Sequence, residues 1–322
     1  MRDVKCWELL GFSHTYQMRT QIRMPDYSRM KLGIILLNWN AEELTTRCVR
    51  VLQEWRRLMP NIYVIDNGSI VKEFNFKEDG DVPVFLIQSP TNRGFAGGNN
   101  LGIHRALEDG CDYILLLNND ASISERDIEM LLDHLWKDTD IGCIGPCIHE
   151  GNFVYLGGRD IGIYPNTRNT TIQGNLLDDV SIVDYVPGAV FLARREVFER
   201  VGLLDEDFFF SGEIADLCTR AEKKGYKCGI CPEIIATHVL VTDNPLRSTL
   251  YAYYSLRNRF LYIRKHHSCV RWILEPFWVL WGIYMCAWTF KMGMRKESAA
   301  YRLAILDGLK GIFGDRNDLF SV

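Results

Sequence analysis

The sequence lacks several things, and each absence removes a class of protein. There is no charge excess: 37 Lys and Arg stand against 41 Asp and Glu in 322 residues, a formal net charge of −4. No global field therefore draws the chain to nucleic acid, and none is expected as a partner. There is no secretory h-region, because residues 1–30 are polar and mixed in charge. No internal repeat is present. The ten cysteines have no framework spacing; only Cys228-Gly-Ile-Cys231 has the two-residue gap of a metal or redox pair, and His238 is the sole nearby further ligand. A zinc site needs a second pair, so these are expected to be reduced, partly buried thiols of a cytosolic protein. With 47% hydrophobic residues against 24% charged, disordered, collagen-like and coiled-coil chains are excluded, and the length suits one large α/β domain or two ordinary ones.

What is present is an alternation of strand and helix patterns. Patterned sequence starts just after Met24 and Met30, so residues 1–30 read as an N-terminal extension. Leu32–Leu37 is a buried-strand pattern ending at Asn38-Trp39-Asn40, followed by an apolar stripe at helical spacing over residues 41–58. Asn61–Ile65 is a second strand, stopped by Asp66-Asn67-Gly68-Ser69, and Val82–Ile87 a third. A Gly/Asn-rich loop, Asn92–Asn100, then feeds a helix, with Asn99 or Asn100 as its start. Asp112–Leu117 is nearly all apolar, hence central, and ends at Asn118-Asn119-Asp120. Ser124 with Asp127 forms a capping-box pattern on a helix running to Trp136. Residues 141–190, rich in Gly and Asn, read mainly as loops and extended pieces. Helices are expected over Arg195–Val201 and Glu213–Lys224.

This pattern predicts βαβ units around a mostly parallel sheet flanked by helices. Ligands of such sheets sit at the carboxyl ends of the strands. Three strands here end in amide-rich or acidic turns, at Asn38–Asn40, Asp66–Ser69 and Asn118–Asp120. One such ending is commonplace; three on one edge indicate a site.

Taken together and in order, these motifs resemble an inverting family 2 glycosyltransferase with the GT-A fold, rhamnosyltransferase-like branch. The marks are Asn38-Trp-Asn40, Val64-Ile-Asp66-Asn67-Gly-Ser69, Asn92-Arg-Gly94-Phe-Ala-Gly97-Gly98-Asn99, Leu115-Leu-Leu-Asn118-Asn119-Asp120, Pro187-Gly188-Ala189, the acidic helix start at Glu213, and His238. Tyr254-Ser-Leu-Arg257-Asn258-Arg259 resembles a segment that follows the catalytic domain. The resemblance covers residues 31–267 and implies a nucleotide-sugar donor and a glycan or lipid-linked acceptor.

It also implies residue roles. Asp66 would accept a hydrogen bond from the pyrimidine base, as suits a carboxylate reading an imide N–H. Asn38, Asn40, Asn67, Asn92, Gly94, Gly97, Asn99, Asn118 and Asn119 would surround the donor, and Gly188 and Ala189 the acceptor. Asp120 and His238 would hold Mg²⁺ or Mn²⁺, hard ions that leave room for substrate phosphates. The family's Asp-x-Asp is reduced here to one carboxylate, since Asn118 replaces the first. The catalytic base departs more: Ser211-Gly-Glu213-Ile214-Ala-Asp216 has Ile214 where the family places Asp, leaving Glu213 first and Asp216 second as base. A sugar nucleotidylyltransferase would carry a Gly-rich, basic signature after the first strand, and Asn38-Trp-Asn40 is not that. A catalytically silent nucleotide-sugar-binding or scaffold protein is the reading that Asn118 and Ile214 favour.

Residues 268–322 need their own explanation. From Arg264 onward nine Lys/Arg accompany five Asp/Glu, and four of the eight tryptophans fall between Trp272 and Trp288. The uncharged run Pro276–Phe290 is fifteen residues, short of the roughly 20 of a bilayer span. Basic flanks and abundant Trp predict a helical segment lying on the inner face of the cytoplasmic membrane.

Overall fold

The computed structural model describes residues 30–70, 74–76, 80–168, 179–239 and 246–320. The N-terminal extension thus lies outside the described residues, apart from Met30. The elements, in chain order, are β1 (Leu32–Asn38), α1 (Glu42–Leu52), β2 (Asn61–Asn67), β3 (Val84–Ser89), α2 (Gly94–Glu108), β4 (Tyr113–Asn118), β5 (Ala121–Ser122), α3 (Glu125–Lys137) and β6 (Ile141–Glu150). They continue with β7 (Phe153–Tyr155), β8 (Ser181–Ile182), β9 (Val190–Arg194), α4 (Arg195–Val201), α5 (Glu213–Lys223), β10 (Lys227–His238), α6 (Arg247–His266), α7 (Arg271–Lys291) and α8 (Arg295–Lys310).

One mixed sheet has the order β3-β2-β1-β4-β9-β6-β10-β5, with β7 beside β6 and β8 beside β10. The expected parallel block is present: β3, β2, β1 and β4 pair in parallel, with Asn38 level with Asp66. Beyond it β9 runs antiparallel to both β4 and β6, so the second half of the sheet is mixed. Alternate residues of β1 feed two cores, as strand periodicity requires. Ile34 and Leu36 pack with Val49 of α1 and Leu131 of α3, while Ile35 packs with Ile103 of α2 and Leu217 of α5.

Three expectations are corrected. The helix expected to residue 58 ends at Leu52, because the N–H groups of Arg56, Arg57 and Leu58 turn to the Glu125 carboxylate, at 2.7–3.0 Å to Oε1. Trp55 and Leu58 still reach the core, but from a loop. Within the supposedly irregular 141–190 stretch, β6 is a ten-residue strand, buried over its first eight residues. A Cβ on its Gly145 would stand 2.5 Å from Val186 and 2.8 Å from the Val190 carbonyl, and one on Gly142 2.8 Å from Tyr226. They serve close packing, and β10 bulges between Cys231 and Ile235 beside Pro146. Residues 169–178 of that stretch lie outside the described residues. The third correction concerns the Gly/Asn-rich motif: it is helix from Gly94 onward, so neither Asn99 nor Asn100 begins it.

A third core belongs to α6, α7 and α8, with Tyr253, Phe260, Trp278 and Ala304 among its members. Gly282 of α7 lies against Leu256 and Ile305, and Gly308 of α8 against Phe260. Trp278 is fully buried and donates Nε1–H to the Gly162 carbonyl at 2.6 Å. The opposite side of α7 is bare: Trp272 is 74% exposed and Leu280 68%, with Ile283, Tyr284 and Phe290 beside them.

Candidate active site

The carboxyl ends of β1, β2 and β4 carry the polar turns seen in the sequence, and the fold brings them together. Asn38, fully buried, donates from Nδ2 to Ser69 Oγ at 3.0 Å and accepts from Thr45 Oγ1 at 2.8 Å. Ser69 Oγ also receives the Asn40 N–H, at 2.8 Å, and Asn40 Oδ1 accepts from Ile70 N. Asn40 holds a φ of 51°, a left-handed conformation that Asn tolerates well. Asn119 Nδ2 reaches Thr45 Oγ1 at 2.8 Å. Asn38, Asn40 and Asn119 therefore spend polar groups building the rim.

Asp66 stands differently. Its Oδ1 accepts from Ser69 N–H at 3.2 Å, but Oδ2 is buried without a hydrogen-bond partner. A buried carboxylate oxygen left unpaired is expensive, so an arriving N–H donor has much to gain there.

The glycine motif is tied tightly to this edge. Asn67 Nδ2 donates to Asn92 Oδ1 and to the Gly94 carbonyl, both at 3.0 Å, while Asn67 Oδ1 accepts from Arg93 N–H. Asn92 Oδ1 also takes the Gly94 N–H at 2.8 Å. Gly94 has φ +70°, and a Cβ there would stand 2.3 Å from the Phe209 carbonyl oxygen; Gly97 faces Arg93, and Gly98 faces Leu37. These glycines make room for protein, and the loop's approach is to Phe209 and β1. Asn99 is buried inside α2, its Nδ2 on the Phe95 carbonyl.

At the end of β4, Asn118 N–H bonds the Ala189 carbonyl at 3.0 Å, so the Gly188-Ala189 turn flanks the same edge. Asp120 Oδ1 lies 3.1 Å from His238 Nε2, and Asn118 Nδ2 lies 3.5 Å from that nitrogen. His238 Nδ1 meets Glu150 Oε2 at 3.0 Å, and Arg168 pairs with Glu150 at 2.8 Å. Burial alone would lower the His238 pKa, but bonds and charge from Asp120 and Glu150 outweigh it and raise it. The Asp120 carboxylate and, once deprotonated, the His238 Nε2 could hold a divalent ion such as Mn²⁺, with substrate phosphate oxygens needed to complete its shell. Glu150 escaped the sequence reading. It lies in the stretch taken for loops, and nothing local marks it as the orienting carboxylate of a histidine.

The two base candidates separate cleanly. Asp216 is fully buried and spent: Oδ1 meets His266 Nε2 at 2.8 Å and Lys265 Nζ at 2.6 Å, and Oδ2 meets Arg220 Nε at 2.7 Å. Burial opposes its charge, but the His266 hydrogen bond and the Arg220 and Lys265 charges prevail, holding the carboxyl down at about 2. It fastens α6 to α5. Glu213, by contrast, has Oε2 buried and without a partner. Desolvation pushes its carboxyl up to about 7, its own backbone N–H opposing and the Asp216 charge adding. Ile214, where the family pattern has Asp, is an apolar contact: it lies beside Gly188, where an added Cβ would be 3.2 Å from its Cγ1.

The approach to Glu213 is strained. Phe209, Ser211 and Gly212 have φ of 59°, 72° and 103°. Only the glycine adopts this freely; the other two cost about 1–3 kcal/mol each and persist only when their surroundings impose them.

The nine described cysteines form no disulfide. Cys143, Cys218 and Cys228 gather in the core, their sulfurs all within 4.8 Å of one another, buried among apolar side chains.

The glycosyl transferase family 2 model matches residues 33–202, more than half of the chain. The chain belongs to that family. Among its relatives, the low-salt glycan biosynthesis hexosyltransferase Agl10 of Haloferax volcanii is 28% identical over 245 residues, 71% of this chain and 74% of that one. The dTDP-rhamnosyl transferase RfbF of Shigella flexneri is 26% identical over 271 residues, 79% and 87% of the two chains. A solved structure of GalNAc-T7 with UDP, GalNAc and Mn²⁺ superposes with a TM-score of 0.60 at 16% identity, covering 73% of this chain and about half (48%) of that one. The fold is thus GT-A-like, and the enzyme class is glycosyltransferase.

Proposed function

We propose that this chain transfers a sugar, rhamnose first among the candidates, from a nucleoside-diphosphate sugar to a hydroxyl of a glycan or lipid-linked acceptor, with inversion. The observation that carries the reading is the pair of orphaned oxygens, Asp66 Oδ2 and Glu213 Oε2. One would read a base; the other would take a proton. Buried carboxylate oxygens without a partner call for an explanation, and a base N–H at Asp66 and an acceptor hydroxyl at Glu213 would supply one.

In this mechanism Asp66 accepts the imide N–H of a pyrimidine, and the rim of Asn38, Asn40 and Ser69 fixes its carboxylate. Asp120 and His238 would hold Mg²⁺ or Mn²⁺, which neutralises the diphosphate when bound. Glu213 takes the proton of the acceptor hydroxyl as that oxygen bonds to the anomeric carbon. The bond from that carbon to the diphosphate oxygen breaks on the opposite face. With its carboxyl at about 7, Glu213 is both basic enough to accept the proton and substantially ionised near neutrality. Gly188 and Ala189, beside Ile214 and Asn118, line the acceptor side.

The enzyme would lie on the inner face of the cytoplasmic membrane through α7. The segment Ser268–Lys291, 24 residues, is long and apolar enough by length and composition to cross a bilayer. Its Trp278 and Gly282 face, however, is occupied by the protein. The bare Trp272–Leu280–Phe290 side with Lys291, Arg295 and Lys296 near its end suits the plane of an anionic interface.

A thermal-shift screen of nucleotide sugars with and without Mn²⁺ tests the donor site. A pyrimidine nucleotide sugar is expected to raise Tm only with the metal, and Asp66→Asn to weaken it about 10–100-fold, the worth of a charged hydrogen bond. Sugar transfer in excess chelator would overturn the metal assignment, and binding without any transfer would favour the scaffold reading.

A further inference from the structure

Two side chains of α6 remain outside this account: Arg257 and Asn258, 0% and 1% exposed. Arg257 Nη2 donates to the carbonyls of Asp207 and Phe208 at 3.0 and 3.1 Å, and Nη1 to the Gly314 carbonyl at 2.6 Å. Its Nε and Nη2 also hold Asn258 Oδ1, at 2.9 and 2.6 Å. That contact aims Asn258 Nδ2 at three further carbonyl bonds: Phe208 at 2.8 Å, Phe210 at 2.9 Å and Ser211 at 2.6 Å. The remaining carbonyl, Phe209, points the other way and accepts the Phe95 N–H at 2.7 Å. Every carbonyl from Asp207 to Ser211 is therefore held, four by α6 and one by the first turn of α2. This is the segment whose left-handed residues lead directly into Glu213.

A buried guanidinium is a costly way to secure a loop. Arg257 has no carboxylate in ion-pair distance among the described residues; its polar partners are carbonyl and amide oxygens and the Tyr253 hydroxyl, and the Tyr254 ring lies 4.7 Å from its guanidinium carbon. Its charge is thus spent on backbone oxygens, where ionic donors make the stronger hydrogen bonds. Strain at two residues of so short a segment, Phe209 and Ser211, needs such restraint, and the Phe209 carbonyl couples the same loop to Gly94 and the donor-side motif.

We propose that Arg257 and Asn258 are positioning residues for transfer: they clamp the strained 207–212 backbone so that Glu213 is delivered dry and unpaired beside the Gly188 turn. This rests on Glu213 being the base. The charged group bearing on Glu213 is Asp216, one turn on, and Asp216 is itself held by Arg220, Lys265 and His266. None of these is altered by the test.

The test is a double-mutant comparison by thermal denaturation of the full chain, and it needs no substrate. Glu213→Gln is expected to raise Tm by about 4 °C more at pH 8 than at pH 4, because it removes a desolvated carboxylate. In an Arg257→Lys or Asn258→Ala background the loop relaxes, water reaches residue 213, and that pH-dependent gain is expected to shrink to under half. A purely structural role would lower Tm in every background and leave the gain intact; that result overturns the clamp. Absence of the gain in the parent chain instead overturns the buried Glu213 on which the base assignment stands. Should neither α6 variant fold, hydrogen exchange of the parent decides: amides of Phe208–Glu213 protected like the β4 core support the clamp, and exchange at surface-loop rates refutes it.

Discussion

Glu213→Gln separates function from stability because the same burial acts on both. The folded chain holds this carboxyl at about 7 against an ordinary 4.5. Between those values the folded state binds more protons than the unfolded one, so stability falls as pH rises through the window, and the full cost stands above it. A gap of about 2.5 pH units at about 1.36 kcal/mol each makes that cost about 3 kcal/mol. The glutamine variant is therefore expected to match the parent below about pH 4 and to be about 3 kcal/mol more stable at pH 8. For a chain of this length that is about 4 °C in Tm. Turnover is expected to fall by about 10²–10⁴-fold with donor affinity little changed, the signature of a lost general base. Parallel urea titrations at the two pH values and a transfer assay on the same preparations read both effects. Equal stabilities at pH 8 with unimpaired transfer would show that Glu213 is neither desolvated nor catalytic.

Other consequences follow from named contacts. Asp216→Asn leaves Arg220, Lys265 and His266 without their shared carboxylate, so a loss of about 3–5 kcal/mol by urea denaturation at pH 7 is expected, with little change in kcat for the folded enzyme. In the parent, the Asp216 contribution of about 2 kcal/mol is present above its ordinary 3.8 and is lost as pH falls through about 2; an acid midpoint unchanged in Asp216→Asn would contradict this. Glu150→Gln removes the carboxylate on His238 Nδ1 and is expected to weaken Mn²⁺ binding about 10–100-fold, read from free Mn²⁺ by electron paramagnetic resonance. On the bare side of α7, Trp272→Asp with Leu280→Asp is expected to abolish co-sedimentation with phosphatidylglycerol vesicles at low salt while leaving Tm nearly unchanged. Retained vesicle binding would exclude that face.

Much of the fold was legible in the sequence because its signals are local. The buried runs of β1, β2 and β4 and the Ser124–Asp127 cap arise from periodicity and short-range hydrogen bonding, which neighbours in sequence decide. Ser124 Oγ accepts the Asp127 N–H as an N-cap does, and its hydroxyl donates to the Asp127 carboxylate. The polar turns that end the three parallel strands marked the site edge for the same reason: parallel pairing puts all their carboxyl ends together.

Other features depended on partners far along the chain. The end of α1 was set by Glu125, 67 residues or more from the amides it binds. The strand β6 was hidden by glycines and a proline that only make sense against Val186 and the bulge in β10. Asp216 and Glu213 look alike in sequence, both acidic in the first turn of one helix. What distinguishes them is that α6, some fifty residues later, brings Lys265 and His266 to one carboxylate and leaves an oxygen of the other unpartnered. Composition and spacing fix which groups a helix offers; a carboxylate's proton affinity depends on the charges and water around it, and those are assembled only when distant segments pack.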